Sequence, residues 1–384
     1  MERRVYLDNN ATSPMDSRVL EAIQPFFLNE FGNAASIHAY GQHARAAIER
    51  ARSQVADLLS AKRREIIFTC GGTEADNAAI HGVARSFAGS GGHVITSAIE
   101  HPAVLKSCQF LEQKGFRVTY LSAGEEGIVR VEDVKEALSQ DTILVSIMHA
   151  NNEVGTLQPI KEIARLTRQQ GILFHTDAVQ SVGKIPVDVH QLGVDLLSLS
   201  GHKFHGPKGV GAMYIRDSVQ TVPFMLGGSH ERHRRAGTEN VPGIVGLGEA
   251  CRLAGESHQD MESRIADLRD RFEEGLLQRL PGSVVNGRPS SRVPHTANLS
   301  FEGVEGEALL VALDFKGLAV STGAACSSGS LEPSHVLQAM KLGRGRIQGA
   351  IRFSLSRMIS EEDMDYALET VVETVNRIRS VGVC

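Results

Sequence analysis

Ser198-Leu-Ser-Gly-His-Lys203-Phe-His-Gly-Pro-Lys-Gly-Val-Gly211 places a lysine between two short apolar runs. Upstream, Gly193-Val-Asp-Leu-Leu-Ser-Leu-Ser200 reads as a strand, and downstream Gly209-Val-Gly-Ala-Met-Tyr-Ile215 reads as another. Lysine is rarely buried unless paired. Desolvation lowers its pKa and makes the amine a usable nucleophile for Schiff-base chemistry. Ser198, Ser200 and His202 stand beside it as groups able to hold an anion. Read alone, the run also describes a surface turn that carries a lysine.

Working outward, Phe174-His-Thr-Asp177-Ala-Val-Gln180 follows the apolar run Gly171-Ile-Leu-Phe174. Asp177 therefore falls where a parallel strand ends, the edge at which ligands sit in open α/β sheets. A carboxylate there, with a lysine near the end of another strand, is the pair that pyridoxal phosphate requires. The lysine makes the Schiff base, and the carboxylate keeps the pyridine nitrogen protonated so that the ring is an electron sink.

Other strand ends point to the same edge. Glu65-Ile-Ile-Phe-Thr69 runs into Cys70-Gly-Gly-Thr73-Glu-Ala-Asp-Asn77 and then a helix. Glycines at such a turn let backbone N–H groups and the helix dipole face a phosphate, with the Thr73 hydroxyl added. Val94-Ile-Thr-Ser-Ala-Ile-Glu-His101 sets a histidine just past a strand, suited to stacking on a flat cofactor and moving protons. Thr142-Ile-Leu-Val-Ser-Ile-Met148 leads to Asn152 in the same way. Thr73, His101, Asn152 and Asp177 converge, which is harder to explain by turn chemistry than any one of them.

Short apolar runs alternating with helical patterns predict an α/β fold, a mostly parallel sheet with helices on both faces. Ala44, Ala47, Ile48, Ala51, Val55 and Leu58 form one helical stripe within Gln42–Leu59. The Asp8-Asn-Asn-Ala-Thr12 turn is expected to be structural. A stripe of Met261, Ile265, Leu268, Phe272 and Leu276 leads toward a second domain, where Ala297–Phe301 and Ala350–Ser354 read as strands. Ser360 with Asp363 reads as a capping box opening the last helix. Boundaries are expected at 15–260 for a large domain, with 1–14 and 261–384 forming a smaller α+β domain.

The chain has 384 residues and a formal charge of −5, so neither nucleic acid nor an acidic membrane is an expected partner. Five cysteines, without zinc or disulfide spacing, suit a reducing compartment. Met1-Glu-Arg-Arg-Val-Tyr6 has no apolar signal core and no run is long enough to span a bilayer. A cytoplasmic protein is expected. Cys326 lies in Val320-Ser-Thr-Gly-Ala-Ala-Cys-Ser-Ser-Gly-Ser330, among small residues that make a readily moved loop and an accessible thiol. Cys70, Cys108 and Cys251 read as packing residues, and Cys384 carries no reading. Gly227 to Asn240, rich in glycine and arginine, suits an anion site, a subunit contact or a solvated loop.

Together, Asp8-Asn-Asn-Ala-Thr12, Gly72-Thr-Glu-Ala-Asp-Asn77, Glu100-His101, Ala150-Asn-Asn-Glu-Val-Gly-Thr156, Asp177-Ala-Val-Gln180, Ser200-Gly-His-Lys203-Phe-His-Gly-Pro-Lys-Gly209 and Arg235-Ala-Gly-Thr238 resemble the cysteine desulfurases of the NifS/IscS type. That resemblance runs from about Tyr6 to Arg357, and the Cys326 loop is similar to the long-loop group I form. It implies a fold-type I pyridoxal-phosphate enzyme, with a seven-stranded sheet in the large domain. Lys203 is implied as the Schiff-base lysine, Asp177 as partner of the pyridine nitrogen and Gln180 of the ring hydroxyl. His101 is implied to stack on the ring, with Gly72, Thr73, Ser200 and His202 on the phosphate. Thr238 is implied to reach the phosphate of a second subunit in a homodimer, while Asn152 and Arg352 take the substrate carboxylate.

The implied reaction converts L-cysteine to L-alanine and leaves a persulfide on Cys326. That sulfur passes to an iron-sulfur scaffold or another acceptor, including tRNA-thiolating enzymes. No intrinsic metal site is expected, although Cys326 is a possible transient ligand of a cluster shared with a scaffold. Asn33-Ala-Ala-Ser-Ile-His38 and Ser354-Leu-Ser-Arg357 depart from the usual family pattern without removing a reacting group. A selenocysteine lyase, another class-V aminotransferase-like enzyme and a non-enzymatic sulfur carrier or scaffold-binding protein are the alternatives.

Overall fold

A computed structural model describes residues 3–87, 91–323 and 333–381. In chain order the strands are β1 (Val5–Tyr6), β2 (Ile66–Thr69), β3 (His93–Ser97), β4 (Arg117–Leu121), β5 (Thr142–Ser146) and β6 (Leu173–Asp177). They continue with β7 (Leu196–Ser200), β8 (Gly211–Ile215), β9 (Ser283–Val285), β10 (Thr296–Phe301), β11 (Leu318–Ala319) and β12 (Ala350–Ser354). Seven of them form one sheet in the order β2-β8-β7-β6-β5-β3-β4. Strand β8 runs antiparallel to both its neighbours, and the remaining pairs of this sheet are parallel. The physical reason lies in the short connection 201–210, since a parallel return needs a crossover of about a dozen residues or more.

Alternate residues of the strands enter different cores. Ile66, Phe68, Leu197, Leu199, Ala212 and Tyr214 pack with the helices Ala39–Leu59 and Val241–Asp260. Their sequence neighbours Ile67, Leu196, Met213 and Ile215 pack with Gly72–Ser86 and Pro102–Gln113 on the opposite face. Burial on both faces is why these strands read as nearly continuous apolar runs. The predicted stripe of the first long helix is buried except at its last member. Leu59 fills the core and Leu58 is only partly buried. That helix begins at Ala39, ahead of the expected Gln42, because His38 caps it by accepting the Gly41 N–H at Nδ1.

A separate core joins β1, β10, β12 and the helices Ala266–Arg279, Gly306–Phe315 and Glu361–Val381. Met261, Ile265, Leu268, Phe272 and Leu276 all enter it, and a π-helical turn at Met261–Ile265 links Val241–Asp260 to Ala266–Arg279. The expected strands 297–301 and 350–354 pair antiparallel with each other, with Asn298 opposite Arg352. Ser360 and Asp363 exchange the two hydrogen bonds of a capping box. Strand β1 pairs parallel with β11, which binds the chain's start to its last third. Among the described residues no helix is long and apolar enough to cross a membrane.

Candidate active site

The sheet order reverses between β3 and β5, and the carboxyl ends of β3, β5, β6 and β7 open toward one cavity of about 370 Å³. Gly72, Thr73, His101, Asn152, Asp177, Gln180, Ser200, His202, Lys203 and Arg352 all line it. The expected convergence of strand ends is therefore found, and Arg352 reaches the cavity from β12. Two expected residues are not in this group. Thr238 lines a neighbouring cavity with Cys70, Glu231 and Arg235, and Cys326 lies outside the described residues.

Lys203 follows β7 on a single 3-10 turn, and its Nζ donates to the carbonyls of Asn10 (2.6 Å) and Ala11 (2.8 Å). The Asp8–Thr12 turn is thus part of the site, contrary to its expected purely structural role. Ser13 ties the turn down, its N–H and hydroxyl both donating to the His202 carbonyl at 2.8 Å. Asn10 also donates through Nδ2 to the Asn152 carbonyl at 3.1 Å. An asparagine-rich turn looks ordinary in sequence because these partners lie more than a hundred residues away.

Asp177 ends β6 in a buried position, with one carboxylate oxygen accepting the Val179 N–H at 2.9 Å. Burial raises its pKa to about 6, against the opposing pull of Lys203. Behind it, His175 is fully buried, sharing hydrogen bonds with the hydroxyls of Ser146 (2.8 Å) and Ser198 (3.0 Å). Asp76, also lining the cavity, was legible only as part of the glycine-turn run. Burial first, and Asp177 next, push its carboxyl well above the usual range.

His101 caps the helix Pro102–Gln113 by accepting the Ala103 N–H at Nδ1, 3.1 Å away. Burial, then Lys203 and His335, lower its pKa to about 4. A neutral ring whose Nδ1 is an acceptor carries its proton on Nε2. His202, bonded through Nδ1 to the Thr12 hydroxyl at 3.1 Å, is likewise lowered to about 4, chiefly by burial.

Arg352 is 2 % exposed and donates to the Asn152 carbonyl (3.0 Å) and the Asp8 carboxylate (2.7 Å). Its Nε, like the side-chain oxygen of Asn152, is buried without a hydrogen-bond partner. Both groups therefore have unused capacity for a polar ligand.

These features fit pyridoxal phosphate. The helix Gly72–Ser86 has no side-chain cap, leaving its first N–H groups for an anion. A Cβ on Gly72 would stand 2.7 Å from Val179 Cγ2, so glycine keeps that end of the cavity open. A buried carboxylate held above its usual pKa, as Asp177 is, gains from a cationic N–H partner, and a protonated pyridine nitrogen would be one.

Cys70 corrects one expectation. It is exposed rather than packed, and partial desolvation, followed by Glu74, pushes the thiol up to about 11. Cys108 and Cys251 are buried, as expected of packing residues.

The buried histidines make the fold acid-sensitive. His101, His149, His202 and His205 are lowered to about 4 and His175 to about 3, with His295 also well below its ordinary 6.5, burial leading in each case. Between pH 6.5 and 4 the unfolded chain binds protons on these rings that the folded chain does not, so stability falls as pH falls. Glu100, raised to about 8, Asp177, Asp76 and Glu153 act oppositely and keep protons that the unfolded chain releases. The histidines outnumber these acids in the acidic window, while above it Glu100 and the buried Lys184 amine, lowered by burial, act in opposite senses. The thermal midpoint of the cofactor-free protein, followed by circular dichroism from pH 6.5 down to 4, is expected to fall. A midpoint that holds or rises over that range would contradict these assignments.

Comparison with known proteins brings the site into a wider group. The aminotransferase class-V family model matches residues 5–367. A cysteine desulfurase IscS of Dictyoglomus turgidum is 50 % identical over 382 residues, covering 100 % of this chain and 97 % of the relative. A cysteine desulfurase IscS of Methanosarcina thermophila is 50 % identical over 380 residues, covering 99 % and 94 %. A solved NifS-like protein superposes with a TM-score of 0.92 at 40 % identity, covering 98 % of this chain and 100 % of its own.

Proposed function

The chain belongs to the class-V aminotransferase family and is a pyridoxal-phosphate-dependent cysteine desulfurase, and from that premise we propose which residues carry the reaction and where the sulfur goes. The observation that carries the proposal is one cavity lined by Lys203, Asp177, Gln180, His101, Asn152 and Arg352 at the carboxyl edge of the sheet.

Lys203 would hold the cofactor through its amine, with Asp177 placed for the ring nitrogen and Gln180 for the ring hydroxyl. His101 would stack on the ring, and Gly72, Thr73, Ser200 and His202 would hold the phosphate. When bound, pyridoxal phosphate supplies the electron sink that makes the substrate α-proton acidic and the carbon-sulfur bond labile. Arg352 and Asn152 orient L-cysteine by its carboxylate, the guanidinium offering a fork that matches two oxygens. The Lys203 amine accepts the α-proton. His101 is neutral with its proton on Nε2, so it donates there and takes up a proton only transiently.

The Cys326 thiolate attacks the substrate sulfur, forming a sulfur-sulfur bond as the carbon-sulfur bond breaks. The released electron pair stays with the substrate β-carbon, which gains a proton, and the α-carbon regains the proton taken by Lys203, giving L-alanine. Cys326 keeps the sulfur as a persulfide, one sulfur moved per cysteine consumed. Delivery goes to an acceptor for iron-sulfur cluster assembly, with tRNA-thiolating enzymes as a second destination.

We assign residues 15–260 to the large domain and 1–14 with 261–384 to the small one, in a cytoplasmic homodimer whose Thr238 reaches the partner's phosphate. The exposure of Thr238 supports that placement.

Steady-state alanine formation from L-cysteine tests the site. Arg352→Ala is expected to lower kcat/KM by roughly 10- to 150-fold, the worth of a charged hydrogen bond of about 1.5–3 kcal/mol. Visible absorbance of the holoenzyme is expected to be retained. An unchanged kcat/KM would remove Arg352 from the substrate site, and wild-type protein that forms no alanine would sink the reaction itself.

A further inference from the structure

We infer that Lys184 is a positioning residue that fixes the Lys203 amine through the Gln180 amide and the Asn10 carbonyl. The inference rests on the assignment of Lys203 and Gln180 above and gives a part to a buried amine that the reaction leaves unused.

Lys184 is 4 % exposed, and its Nζ donates to Gln180 Oε1 at 2.6 Å. Gln180 Nε2 donates in turn to the Asn10 carbonyl at 3.0 Å, and Lys203 Nζ donates to that same carbonyl at 2.6 Å. The two amines therefore stand at the ends of one continuous hydrogen-bonded chain.

Its polarity is fixed by donor chemistry. A carbonyl only accepts, so the nitrogen end of the Gln180 amide faces Asn10. The oxygen end must then face Lys184, whose amine has an N–H to donate in either charge state. This leaves the second N–H of Gln180 Nε2 as the group that the residue can offer a ligand, and Gln180 lines the cavity. Among the described residues, Lys184 is the group that holds the oxygen end in place. Without it the amide is free to turn, and the carbonyl that seats Lys203 loses its second donor.

The backbone is built to bring Lys184 here. Gly183 has a φ of +77°, and a Cβ on it would stand 2.7 Å from the ring of Phe204, the neighbour of Lys203. The turn carrying Lys184 thus presses directly on the turn carrying Lys203. Burial first, then Lys203 and Arg352, push the pKa of Lys184 down, and Lys184 in turn adds to the lowering of His202, His205 and His295. Its hydrogen-bond acceptor is a neutral amide, so the site serves orientation better than charge pairing.

The test uses the holoenzyme and Lys184→Met, which keeps the side chain's bulk and removes the donor. Two readouts are taken besides turnover: the dissociation constant of pyridoxal phosphate and the pH titration of the visible Schiff-base absorbance. Lys184→Met is expected to weaken cofactor binding by about tenfold or more. It is also expected to raise the midpoint of the absorbance titration by about one unit, since the Asn10 carbonyl, relieved of its oriented second donor, accepts more strongly from Lys203.

In a Gln180→Ala background the same substitution is expected to add nothing further, because the chain is already cut. An unchanged titration, or an equal shift in both backgrounds, overturns the inference. Should Lys184→Met not fold, Gln180→Leu removes the donor to the Asn10 carbonyl without adding charge: an upward shift supports the chain, and none overturns it. Wild-type protein without Schiff-base absorbance would overturn the inference together with the Lys203 assignment.

Discussion

Replacing Lys203 by alanine is expected to lower alanine formation from L-cysteine by roughly 10⁴-fold or more, as the loss of a residue that is both covalent nucleophile and proton carrier. Visible Schiff-base absorbance should vanish even when pyridoxal phosphate is added in excess. The environment of the amine explains why no neighbour substitutes for it. The carbonyls of Asn10 and Ala11 hold Nζ at 2.6 and 2.8 Å, while Lys184 is held by Gln180.

The substitution also has an electrostatic signature separate from the lost bond. Lys203 pulls the pKa of Asp177 down and depresses those of His101 and His202. Removing its charge is expected to raise all three, and the two histidines can be followed by their ring proton resonances across pH 3–7. Lys203→Arg, which retains the charge, is expected to leave the histidines near their original values while abolishing the absorbance. Lys203→Ala that kept more than about one per cent of wild-type turnover would sink the assignment, because general-base and covalent roles together exceed that loss.

Lys203 and Asp177 were legible in the sequence because each sits beside its own strand, where apolar runs and glycine turns mark the edge of a parallel sheet. Other parts of the site required the tertiary structure. Asn10 meets Lys203 across 193 positions, and Arg352 meets Asp8 across 344. No local pattern encodes contacts at that separation. Strand β11 has two residues, too few for a hydrophobic period to show. Lys184 reads as an ordinary charged residue after a turn, and only its burial and its bond to Gln180 make it part of the site. Cys70 misled for the opposite reason: apolar β2 precedes it, yet the chain turns outward there to start the next helix.

Cys326→Ala is the second decisive substitution. It is expected to reduce alanine formation by roughly 10³-fold or more through loss of the attacking nucleophile. Protein-bound persulfide, measured by alkylation and mass, should disappear, while the absorbance change on adding L-cysteine should persist. The described thiols cannot take over. Burial pushes Cys108 up to about 12 and Cys251 higher still, and Cys70 stands at about 11, so all three are almost wholly protonated near neutral pH. The segment carrying Cys326 is anchored at both flanks beside the cavity. Ser321 forms a bridge with Arg352, and the Ser334 hydroxyl donates to Glu153, next to Asn152. His335, bonded through Nε2 to the Glu100 carbonyl at 2.9 Å, adjoins His101. Nine residues, 324–332, separate the described flanks. On the proposed assignment substrate binding and sulfur attack are separable: the first falls to Arg352 and Asn152, the second to one thiol. Cys326→Ala that still turned over L-cysteine at the wild-type rate would show that carbon-sulfur cleavage proceeds without a protein nucleophile, and the persulfide route would fall.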